Sequence, residues 1–144
     1  MAENNRHGGA RAGAEVAVQL PAGSMSYLAA LGTQMIGLGL FAEAIRFFQL
    51  LVTAEAGNGF YNRCLGICCE QLDRLSEAAA ALDRAIAADP ADEFALLTRA
   101  GVRLRCGDRA GALLDVTAAA SAIRDPASAN AKKAQLLLKR LASG

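Results

Sequence analysis

Between Met25 and Pro126 the apolar residues return every third or fourth position, the stripe of an amphipathic helix and not the alternation of a strand. Breaks interrupt this stripe at Gly39, Asp73 and Gly107, residue types that tolerate the left-handed backbone on which a helix ends. A stronger break is Asp89-Pro90, where the proline ring stops a helix outright. The pattern predicts helices joined in pairs by tight turns.

The pattern also repeats. With Met25, Gly59 and Glu93 as first positions, each 34 residues after the last, the stripes superpose without an inserted residue. Leu31-Gly32 then matches Leu65-Gly66 and Arg99-Ala100, at the place where the first helix of a pair needs a small residue so that its partner can approach. In the second helices Ala44, Ala78 and Ala112 share a small position, and Phe48, Leu82 and Val116 share the large apolar position four residues on. Leu51, Ala85 and Ala119 follow at the next packing position. The middle stretch, LGICCEQLDRLSEAAAALDRAIAADP, carries the pattern most completely. It departs at Asn62, which stands where Leu28 and Leu96 stand in the outer units, with Tyr61 beside it expected to do the packing. In the third unit Arg99 replaces a leucine and the closing proline is displaced to Pro126.

A helix-turn-helix period of 34 is that of the tetratricopeptide repeat, and residues 25–126 resemble that family over three units, 25–58, 59–92 and 93–126. The resemblance implies an all-α fold, a right-handed superhelical stack of the three helix-turn-helix units. Beyond Pro126, Ala134, Leu137, Leu138 and Leu141 form one more stripe, so residues 127–144 are expected to supply a C-terminal capping helix and tail. Lys132, Lys133, Lys139 and Arg140 lie off that stripe and read as a solvated face. Residues 1–24, polar, Gly-rich and closed by Pro21-Ala22-Gly23-Ser24, read as a flexible N-terminal arm.

Composition narrows the function. At 144 residues and 53% hydrophobic the chain fits one domain with a real core. A formal net charge of +1, with no long block of one sign, argues against nucleic acid as partner. No apolar run reaches the length of a membrane span and the first residues lack a signal-peptide core, so the protein is expected in the bacterial cytoplasm, without stable membrane insertion. Cys64, Cys68, Cys69 and Cys106 all fall in helical stripes and read as buried thiols; no metal site is expected, since His7, the one histidine, lies in the arm. Without a phosphate loop or an acid–base constellation, neither an enzyme nor a cofactor is expected.

In stacks of this family the inner surface is lined by the first helix of each pair. The inward positions are expected to include Ala29, Thr33 and Ile36, then Phe60, Arg63, Ile67, Glu70 and Gln71, then Phe94, Leu97, Leu104 and Arg105. One subgroup of the family grips a chaperone's C-terminal carboxylate there with Lys, Asn and Arg; here those places hold Ala29, Thr33, Cys64, Phe94 and Thr98, which cannot pair with a carboxylate. In size, unit count, terminal helix and apolar groove the chain instead resembles the class II chaperones of type III secretion translocators. That resemblance implies a protein client, a secreted translocator or a needle subunit, held extended in the groove. Phe60, Phe94, Ile36, Ile67, Leu97 and Leu104 would be its anchors, each with helix packing as its alternative use. Arg63, Glu70, Gln71 and Arg105 would fix register by hydrogen bonds. A scaffold within a stable complex would use the same groove. The apolar first helix, with Leu28, Leu31, Met35 and Leu38, permits a homodimer.

Overall fold

A computed structural model describes residues 20–144. Most of the arm expected over residues 1–24, with His7, lies outside the described residues. Among the described residues there are seven α-helices and no strand: α1 (Ser24–Gly37), α2 (Phe41–Ala54), α3 (Gly59–Gln71), α4 (Leu75–Ala88), α5 (Glu93–Arg105), α6 (Arg109–Ala122) and α7 (Ala129–Ala142). None is long and apolar enough to cross a membrane.

Local chemistry fixes the ends. Gly39, Asp73 and Gly107 take φ of 77°, 62° and 84° at the turns inside the three pairs, the left-handed values expected from the breaks in the stripe. Asn58, Asp92, Asp108 and Ser128 cap α3, α5, α6 and α7, their oxygens accepting from the backbone N–H of Tyr61, Ala95, Gly111 and Ala131 at 3.0, 3.1, 2.8 and 3.1 Å.

Each pair closes over a small residue. A Cβ on Gly32 would sit 2.7 Å from Cε2 of Phe48, and one on Gly66 would sit 2.6 Å from Cγ of Leu82. These are the small-against-large positions of the repeat, and both aromatic and aliphatic partners are fully buried. One apolar core runs through α1 to α4 around Phe48, Leu51, Cys68 and Leu82 and takes in Ala95 and Val102 of α5; a second joins α5, α6 and α7 around Leu97, Val116, Ala119 and Leu137. Ile86 packs against both.

The curvature follows from which helices touch. Successive helices pack on one another, and α1 also touches α3, α3 touches α5, and α5 touches α7. Among α2, α4 and α6 there is no such contact. The odd helices are therefore the crowded, inner side of an arc, and the even helices splay on its outer side.

Polar groups inside the stack are paired. Asn62, fully buried, donates from Nδ2 to the carbonyls of Ala56 and Asn58, both at 2.9 Å, and its Oδ1 accepts from Arg84 Nε at 2.7 Å. Tyr61 is buried beside it, so the departure at Asn62 is a hydrogen-bonded interior amide next to the packing residue. Buried Asp115 accepts from Arg99 at 2.7 and 2.9 Å and forms an ion pair with Arg103 at 2.9 Å, and Arg99 reaches on to Asp83 at 2.9 Å. Arg99 thus replaces leucine because its charge is spent inside the stack. Among the described residues no buried side-chain nitrogen or oxygen lacks a partner.

Candidate peptide-binding groove

The expected inner residues sit on α1, α3 and α5. At the junction of α3 and α5, Phe60 and Phe94 stand 41% and 51% exposed, large rings left open to solvent. Between them lies Arg63, its guanidinium carbon 5.2 Å from each ring centroid. Nη1 of Arg63 donates to both oxygens of Asp92, at 3.1 and 3.0 Å. Asp92 is held in turn by its cap of α5. Phe60 is steadied from behind by edge contacts to Phe48 and Tyr61, centroids 6.5 and 6.1 Å away. The result is a rigid cation between two aromatic walls, with the acid that fixes it buried beneath.

About two to three turns further along, Arg105 of α5 donates to the carbonyl of Glu70 at 3.3 Å, to its carboxylate at 3.2 Å, and to Asp73. Gln71 donates to Glu70 at 2.9 Å. These polar residues therefore bind one another across the α3–α5 joint. Ile67 and Leu104 are half-buried, and Leu104 packs against the second core. On α1, Ala29 and Ile36 are half-buried and pack on the first core, while exposed Thr33 turns its hydroxyl back to the carbonyls of Ala29 and Ala30.

Two expectations change. Leu97 is fully buried in the second core and reaches no partner, because the turn of α5 that carries it faces α6 and α7. Cys106 is exposed at the end of α5, where the helix has already turned out of the stripe. Lys132, Lys133, Lys139 and Arg140 are all exposed, as a solvated face should be, and Lys133 and Arg140 also line a cleft with α5. The sequence pattern marks Asp73 only as a turn and gives Asp92 no place in the groove; Asp92's position three residues before Ala95, at the start of a helix, is the signal that points to it.

The thiols behind the groove are inert. Burial, opposed by Arg63 and aided by Asp92, pushes Cys64 up to about 11. Burial pushes Cys68 up to about 12 and raises Cys69 as well. Buried thiols that hold their protons this firmly serve packing and not nucleophilic chemistry.

No family model matches the sequence, and no curated protein does either. Solved structures do share its fold. PcrH in complex with the chaperone binding region of PopD superposes with a TM-score of 0.78 at 22% identity, over 86% of this chain and 95% of that one. The Yersinia enterocolitica type III secretion chaperone SycD, in complex with a peptide of the translocator YopD, gives 0.77 at 16%, over 85% and 95%. The Arabidopsis OM64 TPR domain gives 0.74 at 18%, over 83% and 94%. The fold is therefore a helical solenoid of the tetratricopeptide-repeat kind. At these identities it is the fold that is shared.

Proposed function

We propose that the chain is a chaperone that holds an extended segment of a secreted protein, of the type III translocator kind, in its concave groove in the bacterial cytoplasm. The observation that carries this reading is the exposed Phe60–Arg63–Phe94 wall, clamped by Asp92 on the inner helices. Rings kept in water by a rigid frame gain apolar contact on binding without losing further rotamer freedom. The likeness to PcrH and SycD, each solved with a piece of a translocator, supports the choice of client.

The mechanism is steric. Client side chains pack on Phe60 and Phe94 and beside Ile36, Ile67 and Leu104, and the covered segment is withheld from premature association. No bond is made or broken. A second copy of the chain is a further partner in this reading, through Tyr27 of α1 and Leu38 just beyond its end, which stand 66% and 67% exposed.

Isolation of the untagged protein from its native host, with identification of the bound polypeptide, tests this reading. A secreted translocator supports it. A needle subunit moves the protein to the related chaperone class, and a fixed set of neighbours makes it a scaffold.

A further inference from the structure

The inner surface does not end at the aromatic wall. Between α5 and α7 lies a cleft of about 550 Å³, floored by Leu104, Leu136 and Leu137 and ringed by Arg105, Arg109, Lys133 and Arg140, with Glu70 the one acid on its rim. Arg105 is already paired with Glu70 and Asp73. The other three cations have no carboxylate within ion-pairing distance among the described residues, while Arg99 and Arg103 of α5 are paired inside the stack. Arg109 donates to the carbonyl of Leu141 and lies beside Gly144, at the end of α7. Leu136 stands 57% exposed although it faces this cleft.

An apolar floor with unpaired cations on its rim has the complement of a peptide carrying leucine-like and carboxylate side chains close together. We infer that this cleft is an acid-reading subsite, which takes an acidic side chain of an extended client segment together with an adjacent apolar one. Arg109, Lys133 and Arg140 would meet the carboxylate, and Leu104, Leu136 and Leu137 would meet the apolar neighbour. The subsite lies at the α5–α7 end of the stack, apart from the first-helix places at which related repeats clamp a terminal carboxylate, and those places carry no cation here. The inference rests on the concave face being a polypeptide groove, and its test is confined to the cleft.

The full chain, isotopically labelled, is titrated with the blocked tetrapeptide Leu-Asp-Glu-Leu and with its amide twin Leu-Asn-Gln-Leu, followed by backbone amide shifts. The acidic peptide is expected to move Gly101, Leu104, Leu136 and Leu137 saturably, to bind about ten-fold more tightly than its twin, and to weaken as salt rises. Lys133→Glu with Arg140→Glu, checked for unchanged circular dichroism and melting, should remove that ten-fold preference. Equal binding of the twins, no saturable shift at these amides, or a preference that survives the double variant overturns the subsite. Inorganic phosphate that moves the same amides as strongly as the peptide overturns it also, since the apolar floor would then do nothing. None of these failures touches the aromatic wall, which is tested with the natural client.

Discussion

Helices α1 and α5 hold equivalent places in their pairs, yet α1 buries only Gly32 while α5 buries Ala95, Leu96, Leu97, Thr98, Ala100 and Val102. The difference is position in the stack. α1 touches α2 and α3 alone, whereas α5 is enclosed by α3, α4, α6 and α7. Their ends differ in the same sense, since α1 has no side-chain cap and α5 is capped by Asp92. A repeat unit does not carry its own stability: the interface with the next unit supplies much of it, and an end unit has only one such interface. The groove's aromatic wall is built at the enclosed α3–α5 joint, and the exposed apolar surface of Tyr27 and Leu38 is left at the open end.

The largest effect that would sharpen this contrast comes from the ion cluster anchoring α5. Asp115→Ala strands Arg99 and Arg103 without their buried acceptor and should cost about 3 kcal/mol in denaturant unfolding. Asp83→Ala removes an exposed partner of the same Arg99 and should cost under about 1 kcal/mol. Equal costs would mean that the cluster is not what fixes α5.

Glycines give the next test. Gly66→Ala pushes a Cβ into Leu82 between enclosed helices and should cost about 1 to 3 kcal/mol. Gly32→Ala makes a similar clash with Phe48, but α1 is free to shift outward, so its cost should be smaller. Gly101→Ala, with nothing within 4 Å, should stabilise by about 0.5 to 1 kcal/mol through helix propensity. A Gly32→Ala protein less stable than Gly66→Ala would show α1 to be as firmly held as α3.

The thiols report the same gradient. In native protein one cysteine, Cys106, should react quickly with a thiol reagent, and Cys64, Cys68 and Cys69 only through opening of the α1 end that helps to cover α3. Folded Cys68 keeps its proton up to about 12, above the ordinary 9.0, so between these values the unfolded state binds fewer protons and stability falls as pH rises. Cys68→Ala should flatten that slope in pH-dependent melts. The smallest effect is in amide exchange, where α1 should exchange faster than α5; the reverse order would remove the contrast altogether.

What the repeat made legible was whatever recurs. The turns at Gly39, Asp73 and Gly107 and the small positions at Gly32, Gly66, Ala44 and Ala78 recur at fixed register, and backbone sterics alone determine what they do. What was not legible depends on partners far apart in the chain. Arg99 meets acids 16 residues away on either side, Arg84 meets Asn62 at 22, and Arg63 meets Asp92 at 29. Nothing in the local pattern around Asp83 or Arg84 separates such pairs from solvated helix charges. Leu97 and Phe94 were read alike as anchors because register gives a helix face only coarsely; the added cover from α7 buries one and leaves the other open.

The central claim is that the exposed wall at the α3–α5 joint binds the client. Its most direct test is the affinity of Phe60→Ala with Phe94→Ala for the polypeptide that copurifies with the parent, measured beside circular dichroism and melting temperature. The convex pair Thr117→Ala with Ser121→Ala, whose hydroxyls bond only their own helix, serves as control. The account predicts a folded double-phenylalanine variant that binds at least about ten-fold more weakly, a loss of about 1.4 kcal/mol or more, and a control indistinguishable from the parent. A folded variant that binds as tightly as the parent, while the convex pair loses the client, would contradict it.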